Sequence, residues 1–366
     1  MNTSIYFFIG TTAELIKVFP IMQILDSKNI KYKIIVSGQN KLDKNILNNI
    51  GINNIDIVLF EGKIKQSSLG LLSWFIKTLV KSIFTLKKEF KNIKKCDSYM
   101  LVHGDTVSTV MGAVLGKIHG LNIVHIEAGL RSFNYFKPFP EEIDRMIVSK
   151  IADIHCCPNE WSMKNIKNKN SIKINTIQNT LYDSLNYALT LNTKSNLYDK
   201  LKNERFFVFV FHRQENLFDK ELTKSIMKKI VTYSKENIPA LMIMHSPTKS
   251  TLVKYDMLEM IENTESIITT DRLDYFEFMK VLSISEFIVT DGGSNQEESY
   301  YFGKPCLILR KETERNEGLG ENVLLSNLDS NIIDNFFDNP LKYKKDFVKL
   351  DEKPSEKIVN VLLGES

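Results

Sequence analysis

Short apolar runs alternate along this chain with longer stretches in which apolar residues return at helical spacing. The first is Ile5 to Ile9, followed by a helical pattern from about Ala13; then come Lys33 to Val36, Ser98 to Val102 with a helix from about Thr106, and Asn122 to Ile126. Strand, helix, strand in that order predicts a parallel sheet covered by helices on both faces. The pattern then restarts. Strands are expected at Phe206 to Val210, Ala240 to Met244, Ser266 to Thr269, Phe287 to Thr290 and Pro305 to Leu309, with helices at Lys220 to Glu236 and Tyr275 to Ser283. The expected fold class is therefore α/β, built as two doubly wound, Rossmann-like halves rather than one large sheet. The segment from Asn168 to Thr176, rich in Asn, Lys and Ile, marks the boundary, and the cut is placed near residue 175. The most apolar stretch, Leu69 to Phe84, is interrupted by Lys77 and Lys81, short of the roughly 20 uncharged residues of a membrane span. It reads as an amphipathic helix packed on the core, with no membrane insertion expected.

Composition changes this picture little. The 366 residues and 43% hydrophobic content suffice for packed cores, and the length favours two domains. Lys and Arg number 48 against 44 Asp and Glu, and the signs are interspersed, so no nucleic-acid partner is implied. Cys96, Cys156, Cys157 and Cys306 form no CxxC pair and show no zinc-like spacing to histidine, which predicts reduced thiols and no metal site. The start of the chain lacks the basic stretch, apolar segment and small-residue cleavage site of a secretory signal, so a cytoplasmic protein is expected.

Open α/β sheets bind ligands at the carboxyl ends of their strands, and the chemistry-bearing residues fall there. Gly10, Thr11, Thr12, Ala13 and Glu14 follow the first strand as a glycine turn entering a helix, an arrangement that suits an anion but is more often only a tight turn. His103-Gly104-Asp105-Thr106 follows the strand at 98–102, and His125-Ile126-Glu127-Ala128-Gly129-Leu130-Arg131 closes the next strand. Asp105 also suits a helix cap and Glu127 an ion pair with Arg131. Pro140-Glu141-Glu142-Ile143-Asp144-Arg145 is a helix start whose Glu141 and Arg145 share a face. In the second half, His212, Arg213 and His245 each follow a strand. Thr290-Asp291-Gly292-Gly293-Ser294 then enters a helix carrying Glu298, ahead of Gly303-Lys304-Pro305 and Glu312-Thr313-Glu314-Arg315. Backbone donors at such a turn suit a diphosphate, and an acid one turn into the helix suits ribose hydroxyls. Neither the dinucleotide fingerprint GxGxxG nor the P-loop GxxxxGK[ST] is present, so NAD and ATP readings lose support.

Taken in order, Gly10-Thr11 with Glu14 to Lys17, HGDT at 103–106, HIEAGLRS at 125–132, PEEIDR at 140–145, HRQEN at 212–216 and the DGGSNQEE, GKP and ETER series resemble the UDP-N-acetylglucosamine 2-epimerase family over nearly the whole chain. The resemblance implies a glycosyltransferase-B-like fold with the active site in the cleft between its two Rossmann-like domains, 1–175 holding the sugar and 176–345 holding UDP. It further implies that residues 346–366 form a helix packing back on the first domain. By the same resemblance UDP is eliminated across C1 and C2 of a 2-acetamido sugar, giving a glycal. Asp105, Glu127 and Glu141 are then the acid-base candidates, their order left open. His212 stabilises charge on the diphosphate, and Arg145 holds the sugar pocket. Gly292, Gly293 and Ser294 bind phosphate, and Glu298 binds ribose. Gly10, Glu14, Lys17, Arg131, Arg213, His245 and Arg315 complete the candidate substrate-binding set. No metal or cofactor is required, the partner is a UDP-2-acetamido sugar, and a homodimer is expected.

Three departures qualify these expectations. Thr12-Ala13 stands where the family commonly has Arg-Pro, the family's Ser-Gly-Gly turn reads Gly292-Gly293-Ser294, and its QHRxM segment reads Gln39-Asn40-Lys41-Leu42. The stretch from Gly318 to Leu324 resembles the hydrolysing branch, which releases free sugar. The UDP-retaining reaction is nonetheless favoured, because GDT, EAGLR, PEE and QEE are all present.

Overall fold

The computed structural model describes residues 3–62, 64, 67–91, 93–94, 97–135, 139–192 and 195–365. One sheet holds seven parallel strands, β1 (Ser4–Ile9), β2 (Tyr32–Val36), β3 (Ile57–Val58), β4 (Ser98–His103), β5 (Asn122–Ile126), β6 (Ile154–Cys157) and β7 (Ile172–Asn175), in the order β3-β2-β1-β4-β5-β6-β7. Its helices are α1 (Thr12–Ser27), α2 (Lys44–Asn49), α3 (Ser68–Glu89), α4 (Val107–His119), α5 (Glu141–Ile151), α6 (Glu160–Asn165) and α7 (Leu181–Thr190). The second sheet, also parallel, runs β10-β9-β8-β11-β12-β13, with β8 (Phe207–Val210), β9 (Ala240–Met244), β10 (Ile267–Asp271), β11 (Ile288–Thr290), β12 (Cys306–Ile308) and β13 (Val323–Leu325). Around it lie α8 (Asn196–Leu201), α9 (Gln214–Leu217), α10 (Lys220–Glu236), α11 (Ser246–Lys254), α12 (Leu258–Glu262), α13 (Tyr275–Ile284), α14 (Gly293–Phe302) and α15 (Ser330–Asp338). The chain divides into two units, Met1–Ser184 with Leu350–Ser366, and Leu185–Lys349. The last helix, α16 (Pro354–Leu363), belongs to the first unit and packs on α1; Asp183 accepts the Ser355 amide at 2.8 Å.

The inner strands of both sheets are buried on two faces and so read as continuous apolar runs; every residue of β8 and of β9 is buried. Four strands escape that signal. β3 and β13 are too short to register, β6 hides its run behind His155, Cys156 and Cys157, and β7 carries Lys173 in the polar stretch read as a boundary. Cys96 lies outside the described residues, and the other three cysteines are buried free thiols.

Helix α3 corrects an expectation. One face does pack on the core, through Trp74 and Leu86 with Leu71, Phe75, Leu79 and Ile83 beside them. The opposite face leaves Leu69, Leu72, Ile76, Val80 and Phe84 between 51% and 80% exposed. By length and composition alone the stretch Leu69–Glu89 is apolar enough to cross a membrane.

The loop after β5 is shaped by close packing. Glu127 takes a left-handed backbone (φ 61°), and Gly129 follows at φ 84°, where a Cβ would overlap the Ser162 carbonyl. Gly129→Ala should therefore lower the thermal unfolding midpoint by at least about 2 °C. An unchanged midpoint by differential scanning fluorimetry would show that the loop is not held as described.

Candidate active site

In a doubly wound sheet, successive crossovers run one way and then the other. The two strands flanking the reversal send their loops to opposite faces, which leaves a crevice at their carboxyl ends. The reversal lies between β1 and β4 in the first unit and between β8 and β11 in the second. Gly10 and Asp105 follow the first pair, and His212 and Gly292 follow the second.

In the first unit the loop after β4 turns at Gly104 (φ 68°), whose amide bonds the Ile126 carbonyl at 2.9 Å; His125 Nε2 lies 2.8 Å from the Gly104 carbonyl. This ties the loops carrying Asp105 and Glu127 together. Burial pushes His125 down to about 4, so the ring is neutral at pH 7. Glu127 is itself buried and bonded by Lys17 and Asn179, with His103 Nε2 at 3.8 Å. Asp105 pairs with Arg145. Glu141 opens α5, half-buried, while its neighbour Glu142 is fully buried and accepts from Arg131 Nε at 2.5 Å, the Ser132 amide at 3.0 Å and Arg145 Nη1 at 3.4 Å. Burial alone would push Glu142 up, but those donors more than offset it and hold its carboxyl below the usual range. Glu142 is thus the clamp that fixes Arg131 and Arg145.

The turn at Gly10 is closed from within. Glu14 accepts the Gly10 amide at 2.5 Å and the Thr11 amide at 3.3 Å, and Thr11 caps the Glu14 amide at 3.2 Å, so the helix start closes on itself. The other Glu14 oxygen takes the Thr106 hydroxyl at 2.5 Å. Burial raises Glu14 to about 7 against these donors.

In the second unit Asp291, the residue after β11, is fully buried and accepts from the amides of His212 (3.0 Å) and Arg213 (2.9 Å); His212 Nδ1 lies 3.2 Å from it. The His212 ring stacks on His245, centroids 4.7 Å apart. Burial lowers both histidines, His245 to about 4, and Arg272 after β10 adds to this. Helix α14 starts at Gly293 behind Gly292 with no side-chain cap, so its first amides are not closed from within as those of α1 are. A Cβ on Gly293 would sit 3.3 Å from Glu314 and 3.8 Å from Arg310 Nη1. Arg310 is only 7% exposed, and its Nε and Nη1 meet no hydrogen-bond partner among the described residues. Arg315 pairs with buried Glu297, Arg213 Nε with Glu215 at 3.1 Å, and Glu298, buried, accepts from Asn295 at 2.9 Å. Ser294 lies in the first turn of α14.

The structure thus groups Glu14, Lys17, Asp105, Glu127, Arg131, Glu141 and Arg145 in one unit, and His212, Arg213, His245, Gly292, Gly293, Ser294, Glu298 and Arg315 in the other. Sequence reasoning passed over Asn179, Arg272 and Arg310, though each stands just past a strand's carboxyl end. Asn179 follows a strand that was not expected, and Arg310 was hidden behind the motif that begins two residues later.

Two doubly wound units with ligand-type clusters at both switch points define a protein of the glycosyltransferase-B-like class. Residues 23–363 match the family model described as UDP-N-acetylglucosamine 2-epimerase, and the chain belongs to that family. It is 31% identical to a UDP-N-acetylglucosamine 2-epimerase of Campylobacter jejuni, covering 97% of this chain and 96% of that one. It is also 31% identical to a UDP-2,3-diacetamido-2,3-dideoxy-D-glucuronate 2-epimerase of Pseudomonas aeruginosa, over 64% of this chain and 65% of the relative. Among solved structures it resembles the Neisseria meningitidis UDP-GlcNAc 2-epimerase bound to UDP-GlcNAc, at 25% identity and TM-score 0.79, covering 99% and 100% of the two chains.

Lys17→Met keeps the stem but removes the charge beside buried Glu127, and should cost about 3–5 kcal/mol. Both tryptophans, Trp74 and Trp161, lie in the first unit, so urea unfolding followed by tryptophan fluorescence reads this directly. A midpoint equal to the parent's would contradict the buried pair.

Proposed function

We propose that the chain interconverts UDP-N-acetylglucosamine and UDP-N-acetylmannosamine, or a close UDP-2-acetamido sugar, by eliminating UDP to a 2-acetamidoglycal and adding it back. The observation that carries this reading is the set of carboxyl groups in the first unit, each in a different setting: Asp105 on Arg145, Glu127 on Lys17 and Asn179, and Glu141 half-buried at a helix start. A carboxylate takes the C2 hydrogen, the C–H electrons form the C1–C2 double bond, and the C1–O bond breaks with its electrons leaving on UDP. Return requires a proton donor on the opposite face of C2 and attack of the phosphate oxygen on C1, so inversion needs more than one carboxyl. In the second unit the open start of α14, with Arg310 and Arg315 beside it, takes the diphosphate, and His212, turned by Asp291, meets charge on the leaving phosphate.

Proton NMR in D2O tests this. Deuterium at C2 with UDP-N-acetylmannosamine formed is the expected result, and absence of exchange with every UDP-2-acetamido sugar tried would end the reading. Free deuterated N-acetylmannosamine with UDP would assign hydrolysis instead, the reading that the Gly318–Leu324 stretch favours. Amide variants of Asp105, Glu127 and Glu141 should each lower turnover by about 10²–10⁴. Calorimetry should find their UDP affinity within about threefold of the parent, less than 1 kcal/mol.

We also propose that the chain is a homodimer through α3. Its exposed stripe is nearly symmetric about Ile76, with Leu72 and Val80 one turn to either side and Leu69 and Phe84 about two turns out. A two-fold axis at Ile76 sets the stripe against itself, Leu72 on Val80 of the other copy, as a closed symmetric interface requires. Ile76→Glu, at an exposed position, should halve the mass seen by light scattering without lowering the thermal midpoint. A parent that is already monomeric and sediments with anionic vesicles would assign the stripe to a membrane surface.

A further inference from the structure

Asp144 lies in the PEEIDR helix start, where an acid ordinarily serves the helix dipole. Its surroundings do not fit that role. Its amide already donates to the Pro140 carbonyl at 3.1 Å, so the residue stands within the helical ladder rather than at the open end. Its side chain is buried, 7% exposed, and Oδ2 accepts no hydrogen bond among the described residues. A buried carboxyl oxygen without a donor is costly unless the group carries a proton.

The neighbouring charges explain which form is held. Asp105 after β4 and Glu141 on the same helix both press on Asp144, and Arg145 is the cation that opposes them. Arg145, however, already serves Asp105 and Glu142, and Arg131 also serves Glu142. The titratable groups of the elements packed on α5 are Lys117 and His119 in the last turn of α4 and His125 on β5; Lys117 bonds Asp153 beyond the far end of α5, and His125 is neutral. Among the described residues that act on Asp144, the two carboxyls Asp105 and Glu141 stand against the single cation Arg145, and a proton kept on Asp144 relieves that imbalance. We propose that Asp144 is a fourth member of the acid-base carboxyl set, a positioning residue that shares charge and proton with Asp105 and Glu141. Burial first, and those two carboxyls next, raise it to about 7, so it changes charge near neutrality. The inference rests on the elimination reading for its catalytic consequence, but not for its electrostatics.

Two measurements on the full-length chain separate these. Thermal midpoints of the parent and of Asp144→Asn are compared at pH 5 and pH 8. A carboxyl raised from its ordinary 3.8 to about 7 contributes fully only below its ordinary range and loses that contribution progressively as pH rises from about 4 to about 7, so the margin of the neutral isostere over the parent should be larger at pH 8 than at pH 5. The pH profile of C2 deuterium exchange is then recorded for both proteins. Removing the charge should shift the limb near neutrality to lower pH by about half a unit or more, and Asp144→Glu should restore the parent's limb. If the midpoint difference is the same at both pH values and the profile does not move, the inference is overturned. If the parent exchanges no deuterium but the midpoint difference grows from pH 5 to pH 8, the carboxyl set stands as described and the elimination reading falls.

Discussion

The reversal of winding within each sheet governs where everything else is placed. A parallel strand must be reached by a crossover, and right-handed crossovers starting on opposite sides of one strand pair carry their helices to opposite faces. Because β1 lies beside β4, and β8 beside β11, the loops leaving those strands diverge and cannot cover the strand ends. Residues just past these ends are held rigidly by the sheet yet stay available to a ligand. That is why short peptides such as Gly104-Asp105 and Asp291-Gly292 carry the polar chemistry of chains whose strands are otherwise apolar.

Burying that chemistry creates the second constraint. Glu14, Glu127, Glu142 and Asp144 are all at most 9% exposed in one unit. An ion taken from water costs several kcal/mol even after relaxation, so each is either matched to donors or pushed toward its neutral form. Glu142 and Glu127 follow the first course, through arginines and through Lys17 with Asn179. Glu14 and Asp144 follow the second. The left-handed backbone of Glu127, a conformation that costs on the order of 1–3 kcal/mol, fits this picture, since the surrounding bonds fix the side chain on Lys17 and Asn179.

Much of this was legible in the sequence, for a physical reason. Strands buried on both faces appear as apolar runs, and the residue that ends such a run is the one at the ligand edge; Asp105, Glu127, His212, His245 and Gly292 were all found this way. Partner identity was not legible. Glu141 and Glu142 are adjacent and equally acidic, and only the helix start decides that Glu142 turns inward onto Arg131 and Arg145 while Glu141 stays half-buried. Asn179 and Arg310 were missed because one follows a polar edge strand and the other precedes a stronger motif. The apolar run of α3 announced a helix but not its two faces, because residues packed on the sheet and residues facing outward are equally apolar there.

The two helix starts at the switch points are built from the same parts and capped in opposite ways. Both α1 and α14 follow a strand and a glycine, and both place free amides at a positive dipole end. In α1 the amides are closed by the Thr11–Glu14 box, and the glutamate that closes them is buried beside Asp105. An anion offered to that end would meet a carboxyl group and filled donors. In α14 the cap is Gly292, which has no side chain to offer, and the groups nearest Gly293 include the guanidinium nitrogens of Arg310 and Arg315. There the dipole and the amides face two arginines that are each paired with a glutamate, Arg310 with Glu314 and Arg315 with Glu297, and the Glu314 carboxyl is the nearest of these groups to Gly293. The Gly-Gly start of α14 therefore leaves open the amides that the Thr-x-x-Glu start of α1 closes from within.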